Sequence, residues 1–239
     1  MGERTVDWTG LRLRGEEPTD EGLRERKKRL MRRQLSDTAT EMFLERGFDA
    51  VRVTEIAEAC GVSEKTVFNY FPTKESLLLD LNEAVEDSLR ATLADSALTP
   101  VEAALRILAE QLTAVTAWLA AQDDRDRAVA DFRRFGGLIR STASLRSYQR
   151  DRAEQLTAVV AEILARRTGA DPHDPEPQIA ATALLGLWPV QFQALGRYLD
   201  ATRTPGQLHE AVTAHVTRAA RLVDAGLGSR TWQPAGPAD

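Results

Sequence analysis

Residues 54–78 read TEIAEACGVSEKTVFNYFPTKESLL and contain two short helix-forming segments separated by a glycine. Thr54 and Ser63 are residue types that favour helix N-caps, so each is predicted to begin a helix. Gly61 suits the turn between the helices because glycine adopts backbone conformations that side chains resist. Pro72 is predicted to end the second helix. Two short helices joined by a glycine-containing turn predict a helix-turn-helix.

The second predicted helix carries an outer face suited to the major groove of DNA. Val67 and Phe71 recur at helical spacing, so we expect both to point inward. The other side chains supply donors, acceptors and apolar tips of the kind that contact base edges. These are Glu64, Lys65, Thr66, Phe68, Asn69 and Tyr70.

The net charge of -5 conceals a local concentration of cations. Residues 24–33 contain seven cations and one anion. They lie at the head of a helix predicted over about 23–46 and ended by Gly47. This asymmetry favours a phosphate-facing end, and a solvated run of charge has the same composition.

The composition is that of a globular, helix-rich chain: 43% of the 239 residues are hydrophobic and 28% are charged. The single cysteine, Cys60, excludes an intrachain disulfide and is predicted to be a small core residue. The beginning of the chain lacks the apolar core of a signal peptide, and no uninterrupted apolar run is long enough to span a membrane. These features predict a cytoplasmic protein.

Sequence signatures of common enzyme classes are missing. The chain has no phosphate-binding loop, no nucleophile elbow and no dinucleotide fingerprint. Its three histidines are too scattered, and its cysteines too few, for a recognisable metal site. We therefore expect no catalytic residues, no cofactor and no metal.

Periodicity and composition predict four segments. A flexible arm over 1–22 precedes the helix-turn-helix domain over 23–73, and a larger helical domain over 74–228 precedes a flexible tail over 229–239. Six helices are predicted in the larger domain. The first covers 74–94, the third is interrupted at Gly136 and Gly137, and the fifth, around 179–190, is buried on most sides.

The helix-turn-helix stretch resembles the DNA-binding signature of the TetR family of bacterial transcriptional regulators. The likeness extends roughly from residue 30 to 79 and rests on Thr54-x-Ile-Ala, Gly61-Val-Ser63, Tyr70-Phe71 and Thr73-Lys74-Glu75. It implies an all-α fold, in which a three-helix DNA-binding domain precedes a larger domain that dimerises and usually binds a small effector. The implied function is a repressor released by that effector. A helical ligand-binding or protein-interaction dimer that no longer binds DNA remains the alternative.

The resemblance also implies roles for single residues. Thr54, Tyr70 and Lys74 correspond to phosphate contacts, and Phe68 to an apolar contact with a thymine methyl group. Base or phosphate contacts are implied for Ser63, Glu64, Lys65, Thr66 and Asn69. Each side chain also has a purely structural interpretation, such as capping or packing, and for Glu64 and Arg52 the two interpretations are evenly balanced.

The resemblance also implies dimerisation through the last two helices, about 178–226, where Ala180, Ala181, Ala183 and Gly186 would permit close approach. A two-fold dimer predicts a pseudo-palindromic operator with half-sites about one DNA turn (~34 Å) apart or more. Arg152 could hold an anionic effector or pair with an acid. It joins the candidate effector-pocket residues, for which ordinary core is the alternative: Trp118, Phe132, Phe135, Tyr148, Trp188 and Phe192.

Overall fold

Our computed structural model describes residues 22–79, 82–200 and 202–228, with the side chains of 82–84 excepted. Apart from Gly22, the predicted arm and tail lie outside these ranges. Within them the regular secondary structure is entirely α-helical, which confirms the all-α prediction. The helices are α1 Leu23–Arg46, α2 Val53–Ala59, α3 Glu64–Tyr70, α4 Lys74–Leu78, α5 Asn82–Ala94, α6 Pro100–Ala120, α7 Arg125–Ser141, α8 Ala143–Thr168, α9 Pro175–Leu185, α10 Leu187–Tyr198 and α11 Pro205–Leu227.

Packing divides the chain into two compact units. The first unit comprises the described residues up to Asn82 together with Ala121–Gln149. The second comprises Glu83–Ala120 and the described residues from Arg150 onward. The sequence places a boundary after residue 73, whereas these units divide the chain at Asn82 and bring α7 together with the helix-turn-helix.

The core of the first unit is built around α1. Leu35 and Phe43 of α1 are fully buried, as is Phe71 immediately after α3. Ile139 of α7 and Leu145 of α8 belong to the same cluster. The helix-turn-helix therefore shares one hydrophobic core with a segment more than 60 residues away in sequence, which the sequence does not predict.

Gly47 ends α1 as predicted. Its φ of 87° and ψ of 151° lie in a region that is essentially restricted to glycine. The Gly47 amide donates to the Phe43 carbonyl at 2.9 Å, so the last turn of α1 is closed. The chain can then turn sharply toward α2.

The prediction of a single helix over 74–94 is wrong, because the structure has two helices there, α4 and α5. Four consecutive residues, Ser76 to Leu79, are all buried. Successive helical positions differ by about 100°, so one regular helix cannot bury four in a row against a single neighbour. The Ser36 hydroxyl donates to the Leu77 carbonyl at 2.7 Å and ties the end of α4 to α1.

The predicted interruption at Gly136 and Gly137 is also wrong, because α7 is continuous through both glycines. Glycine lowers intrinsic helix propensity by about 1 kcal/mol. Here, tertiary packing outweighs that cost: Phe132 and Ile139, on either side of the pair, are buried.

The second unit is held together by packing of α6, α10 and α11. Gln191, a buried polar residue of α10, donates to the Leu108 carbonyl of α6 at 3.1 Å. Arg167 near the end of α8 donates to the Leu93 carbonyl at 2.9 Å and to the Leu98 carbonyl at 2.7 Å. The Arg167 guanidinium thus satisfies carbonyls at and after the end of α5 that have no helical partner.

The segment around 179–190 is less buried than predicted, and it is not one continuous helix. Ile179 is 65% exposed, and the helix is interrupted at Gly186 between α9 and α10. Pro189 accounts for the interruption, because it has no amide hydrogen to donate to the carbonyl four residues earlier. By length and composition alone, Pro175–Tyr198 could cross a membrane, a test that core helices of soluble proteins also pass.

Candidate nucleic-acid interface

The turn between α2 and α3 is a Schellman motif. The Val62 amide donates to the Ala57 carbonyl at 2.9 Å, and the Gly61 amide donates to the Glu58 carbonyl at 3.1 Å. Gly61 has a φ of 68°, in the left-handed region that favours glycine. The turn therefore depends on the predicted glycine and fixes the direction in which α3 leaves α2.

Thr54 is not the N-cap of α2, so that prediction is wrong. The helix begins at Val53, and Arg52 occupies the cap position. The Arg52 amide donates to Glu55 Oε2 at 2.7 Å, and Arg46 Nη2 donates to Glu55 Oε1 at 2.8 Å. Since the Glu55 carboxylate binds the free amide at this end of the helix, no cap is needed from Thr54, which is exposed in the first turn.

These same bonds keep Glu55 ionised. Two hydrogen bonds hold the pKa of the Glu55 carboxyl below its usual range: the one from the Arg52 amide has the larger effect, and the one from Arg46 adds to it. The charge of Arg46 is therefore paired beside α2. Arg52 is exposed at the beginning of α2.

Ser63 caps α3 as predicted, because its hydroxyl oxygen accepts from the Thr66 amide at 3.1 Å. The Ser63 and Thr66 hydroxyls also lie 2.8 Å apart and form a hydrogen bond with each other. Both hydroxyls are thus engaged in stabilising the start of α3. Glu64, in the same first turn, is exposed where negative charge suits the helix dipole.

One face of α3 is buried and the opposite face is exposed. Val67 is fully buried. Lys65, Phe68 and Asn69 are exposed at spacing i, i+3 and i+4, so they form one stripe along the helix. Phe68 is 43% exposed, which excludes it from the core. The structure therefore brings a cation, an aromatic ring and an amide together on the outer face of α3.

Arg32 holds the end of α3, a role that sequence patterns alone did not predict. Its Nη1 donates to the Tyr70 carbonyl at 2.9 Å, and its guanidinium lies 4.8 Å from the centre of the Phe71 ring. Helical spacing could have indicated that Arg32 faces inward, because it lies three residues before Leu35 on the core-facing stripe of α1. Tyr70 itself is half-buried against the core cluster.

Lys74, predicted to contact phosphate, turns its ammonium group toward the connection between α1 and α2. Nζ donates to the Phe48 carbonyl at 2.5 Å and lies 4.4 Å from the centre of the Phe48 ring. Desolvation at this site lowers the pKa of Lys74, and nearby Asp49 partly offsets that effect. An ammonium has three N–H donors, so the bond to Phe48 leaves others for a phosphate.

Cys60 is a core residue, as predicted. It belongs to the buried cluster of the first unit, and its Sγ lies 4.0 Å from the Gln34 carbonyl oxygen. Burial raises the pKa of the Cys60 thiol. A thiol with less thiolate at neutral pH is a poor redox sensor, so packing accounts for this residue.

The candidate effector-pocket residues are divided between the two units. Phe132, Phe135 and Tyr148 belong to the first unit, where Phe135 and Tyr148 pack against the helix-turn-helix core. Arg152 Nη1 donates to Gln155 Oε1 at 2.5 Å. It belongs to the second unit together with Trp118, Trp188 and Phe192.

Comparison with known proteins gives two family matches and several relatives. Residues 35–81 match the family described as "Bacterial regulatory proteins, tetR family", and residues 124–228 match the "MftR C-terminal domain". The HTH-type transcriptional regulator TcmR of Streptomyces glaucescens is 31% identical over 159 residues, which cover 66% of this chain and 69% of TcmR. A Mycobacterium tuberculosis protein named as a mycofactocin biosynthesis transcriptional regulator, MftR, is 28% identical over 64% of this chain and 73% of its own length.

Solved structures of regulators also align with the chain. A TetR-family regulator from Streptomyces coelicolor is 21% identical, with a TM-score of 0.44, and covers 83% of this chain and 99% of its own. A TetR transcriptional regulator from Nitrosomonas europaea is 22% identical, with a TM-score of 0.46, over 80% and 99% of the two chains. The family assignment rests on the sequence matches, and by these the chain belongs to the TetR family of bacterial DNA-binding transcriptional regulators.

Proposed function

We propose that this protein reads a specific DNA sequence with α3 and represses transcription until a small effector binds. The observation that carries the proposal is the division of α3 into a buried face and an exposed stripe of Lys65, Phe68 and Asn69. Proteins of this family are transcriptional regulators rather than enzymes, and they act as dimers.

The exposed stripe of α3 has the chemistry of base recognition. Lys65 can donate to guanine O6 and N7, and the Asn69 amide can donate to and accept from adenine. Phe68 offers an apolar surface to a thymine methyl group. Glu64, near the beginning of α3, is placed to accept from a cytosine amino group or to repel phosphate, so we assign it to specificity.

Phosphate contacts are proposed at both ends of the helix-turn-helix. Thr54 and Arg52 are exposed at the beginning of α2, where the Thr54 hydroxyl and the Arg52 guanidinium can donate to phosphate oxygens. Tyr70 and Lys74 lie at and after the end of α3. Such contacts orient the protein on the duplex without reading its sequence. Ser63 and Thr66 already bond to each other, so we assign them a supporting role in addition to any phosphate contact.

We propose dimerisation through α9–α11. Ile179 of α9 is 65% exposed and Leu222 of α11 is 78% exposed, although both are large apolar side chains. Ala180 and Ala181, expected to allow close approach of the partner, are fully buried within the chain. The proposed contact face therefore includes the exposed positions of these helices, and Ala180 and Ala181 contribute only to internal packing.

Release by an effector is supported by packing inside the first unit. Phe135 of α7 and Tyr148 of α8 contact the helix-turn-helix core, and both are candidate pocket residues. An effector that displaces either ring alters the packing around α1 directly. A coupling free energy of about 1–3 kcal/mol would weaken DNA binding roughly 5–150-fold. We place this regulator in the bacterial cytoplasm, where its DNA is.

Fluorescence anisotropy tests the proposed DNA binding. The labelled probe is the intergenic duplex flanking the protein's own gene, and a scrambled duplex of the same composition is the control. We expect the native duplex to bind at least about 1,000-fold more tightly, the lower range for specific over non-specific DNA binding. Equal affinity for the two duplexes would favour the alternative function, a helical interaction dimer that no longer reads DNA.

A further inference from the structure

We propose that the first two turns of α1 form a second DNA contact, in which Arg24 and Lys28 bind phosphates that flank the bases read by α3. The inference rests on the proposed DNA-binding function and extends it to a part of the chain before the helix-turn-helix. Its partner is the phosphate backbone of duplex DNA.

The buried stripe of α1 continues toward the N-terminus as a row of cations. Leu35 is fully buried, and helical spacing of three or four residues carries the same side of the helix to Arg32, then Lys28, then Arg24. Arg24 and Lys28 are both exposed. The stripe thus changes from apolar to cationic where α1 extends past the core.

Arg32 fixes the position of this cationic row relative to the recognition helix. Its bond to the Tyr70 carbonyl places it at the end of α3. At 1.5 Å per residue, Lys28 and Arg24 lie about 6 and 12 Å farther along α1. They therefore lie about 6–12 Å along α1 beyond its contact with the end of α3, where Tyr70 is a proposed phosphate contact.

The outer side of the same helical segment carries exposed apolar residues as well as cations. Arg26 and Lys27 are exposed as well, but they lie more than 100° around the helix from Arg32. The large apolar residues Leu23 and Leu30, 77% and 48% exposed, share that outer side. Within the described part of this segment, Arg24 and Lys28 present charge on a side that lacks large exposed apolar side chains, which suits phosphates better than a lipid or protein surface.

The overall charge strengthens this assignment. The chain carries a net charge of -5, so long-range electrostatics do not favour DNA. Seven of its 31 lysines and arginines lie in residues 24–33. A local concentration of this kind can attract phosphates to one end of the first unit, because charges farther than about 10 Å are screened at moderate salt.

The test compares two double variants that remove the same charge from α1 and whose substituted pairs are centred roughly 130° apart around the helix. Arg24→Gln with Lys28→Gln removes the proposed contact, and Arg26→Gln with Lys27→Gln is the matched control. Anisotropy is recorded on the native and scrambled duplexes at salt concentrations from about 50 to about 200 mM, with circular dichroism to confirm equal helix content. The log–log salt slope changes by about 0.9 for each phosphate that the protein neutralises, so removing two cations from each protomer of a dimer should flatten it by roughly 3–4.

We expect Arg24→Gln with Lys28→Gln to weaken binding at least about tenfold at about 100 mM salt and to flatten the slope, while the control changes affinity less than about threefold. Native probes shortened to the half-sites lack the flanking phosphates, so the two variants should bind these short probes with equal affinity. An unchanged slope in Arg24→Gln with Lys28→Gln, or a larger loss of affinity in the control, would overturn the inference. Failure of the wild type to prefer the native duplex would instead contradict the proposed sequence-specific function.

Discussion

Replacing Phe71 with alanine should lower the free energy of unfolding of the first unit by about 3–5 kcal/mol. The ring is fully buried in the core cluster, and the Arg32 guanidinium lies over its face. Truncation leaves a cavity and removes the surface on which Arg32 rests while it holds the end of α3. Because the chain has two compact units, amide hydrogen exchange in α1–α4 measures the change better than a single melting curve.

Phe68→Ala is the matched control, three residues earlier on the exposed side of α3. Its ring is 43% exposed, so we expect less than about 1 kcal/mol of destabilisation. We expect DNA affinity to fall about fivefold or more, because an apolar contact worth about 1 kcal/mol is lost. The two phenylalanines should therefore separate folding from recognition. If Phe68→Ala destabilised the unit as much as Phe71→Ala, or left DNA binding unchanged, the assignment of Phe68 to the DNA-contacting face of α3 would be wrong.

Ile179→Glu should convert the protein from a dimer to a monomer at micromolar concentration. A two-fold interface repeats each substitution, so two carboxylates would have to be buried without partners. We expect the dimer dissociation constant to rise at least about 100-fold, or roughly 2.8 kcal/mol. DNA binding should fall with it, because a monomer presents one recognition helix. Sedimentation across a concentration series measures the dissociation constant.

Ala158→Glu is the matched control for the dimer face. Ala158 is exposed on α8, so the substitution adds the same charge outside the proposed α9–α11 contact face. Sedimentation should give a dimer indistinguishable from wild type. Were Ile179→Glu to remain as dimeric as Ala158→Glu, the partner would have to contact another part of the chain.

The sequence predicted those features of the helix-turn-helix that depend on neighbouring residues. Gly47 and Gly61 take the positive φ expected of them, and Ser63 caps α3. These outcomes follow from local backbone sterics and hydrogen bonding, which a short stretch of sequence specifies. The exposed position of Phe68 follows from helical periodicity in the same way.

The features that the sequence did not predict depend on contacts between distant residues. Ile139 and Leu145 join the core around α1, and nothing in their own surroundings indicates that they should. Arg32 bonds to a carbonyl 38 positions away. The break after α4 likewise depends on the contact from Ser36 to Leu77. Periodicity identifies a buried face but not the element that covers it.

Selection from a random duplex library tests whether a two-fold dimer reads bases with α3. Purified protein is incubated with duplexes containing a randomised region, and bound molecules are recovered and sequenced. We expect an enriched inverted repeat whose half-site centres are at least one helical turn, about 34 Å, apart. The repeat should disappear in a variant with Lys65→Ala and Asn69→Ala. Recovery of no common sequence, or of the same repeat by that variant, would contradict this expectation.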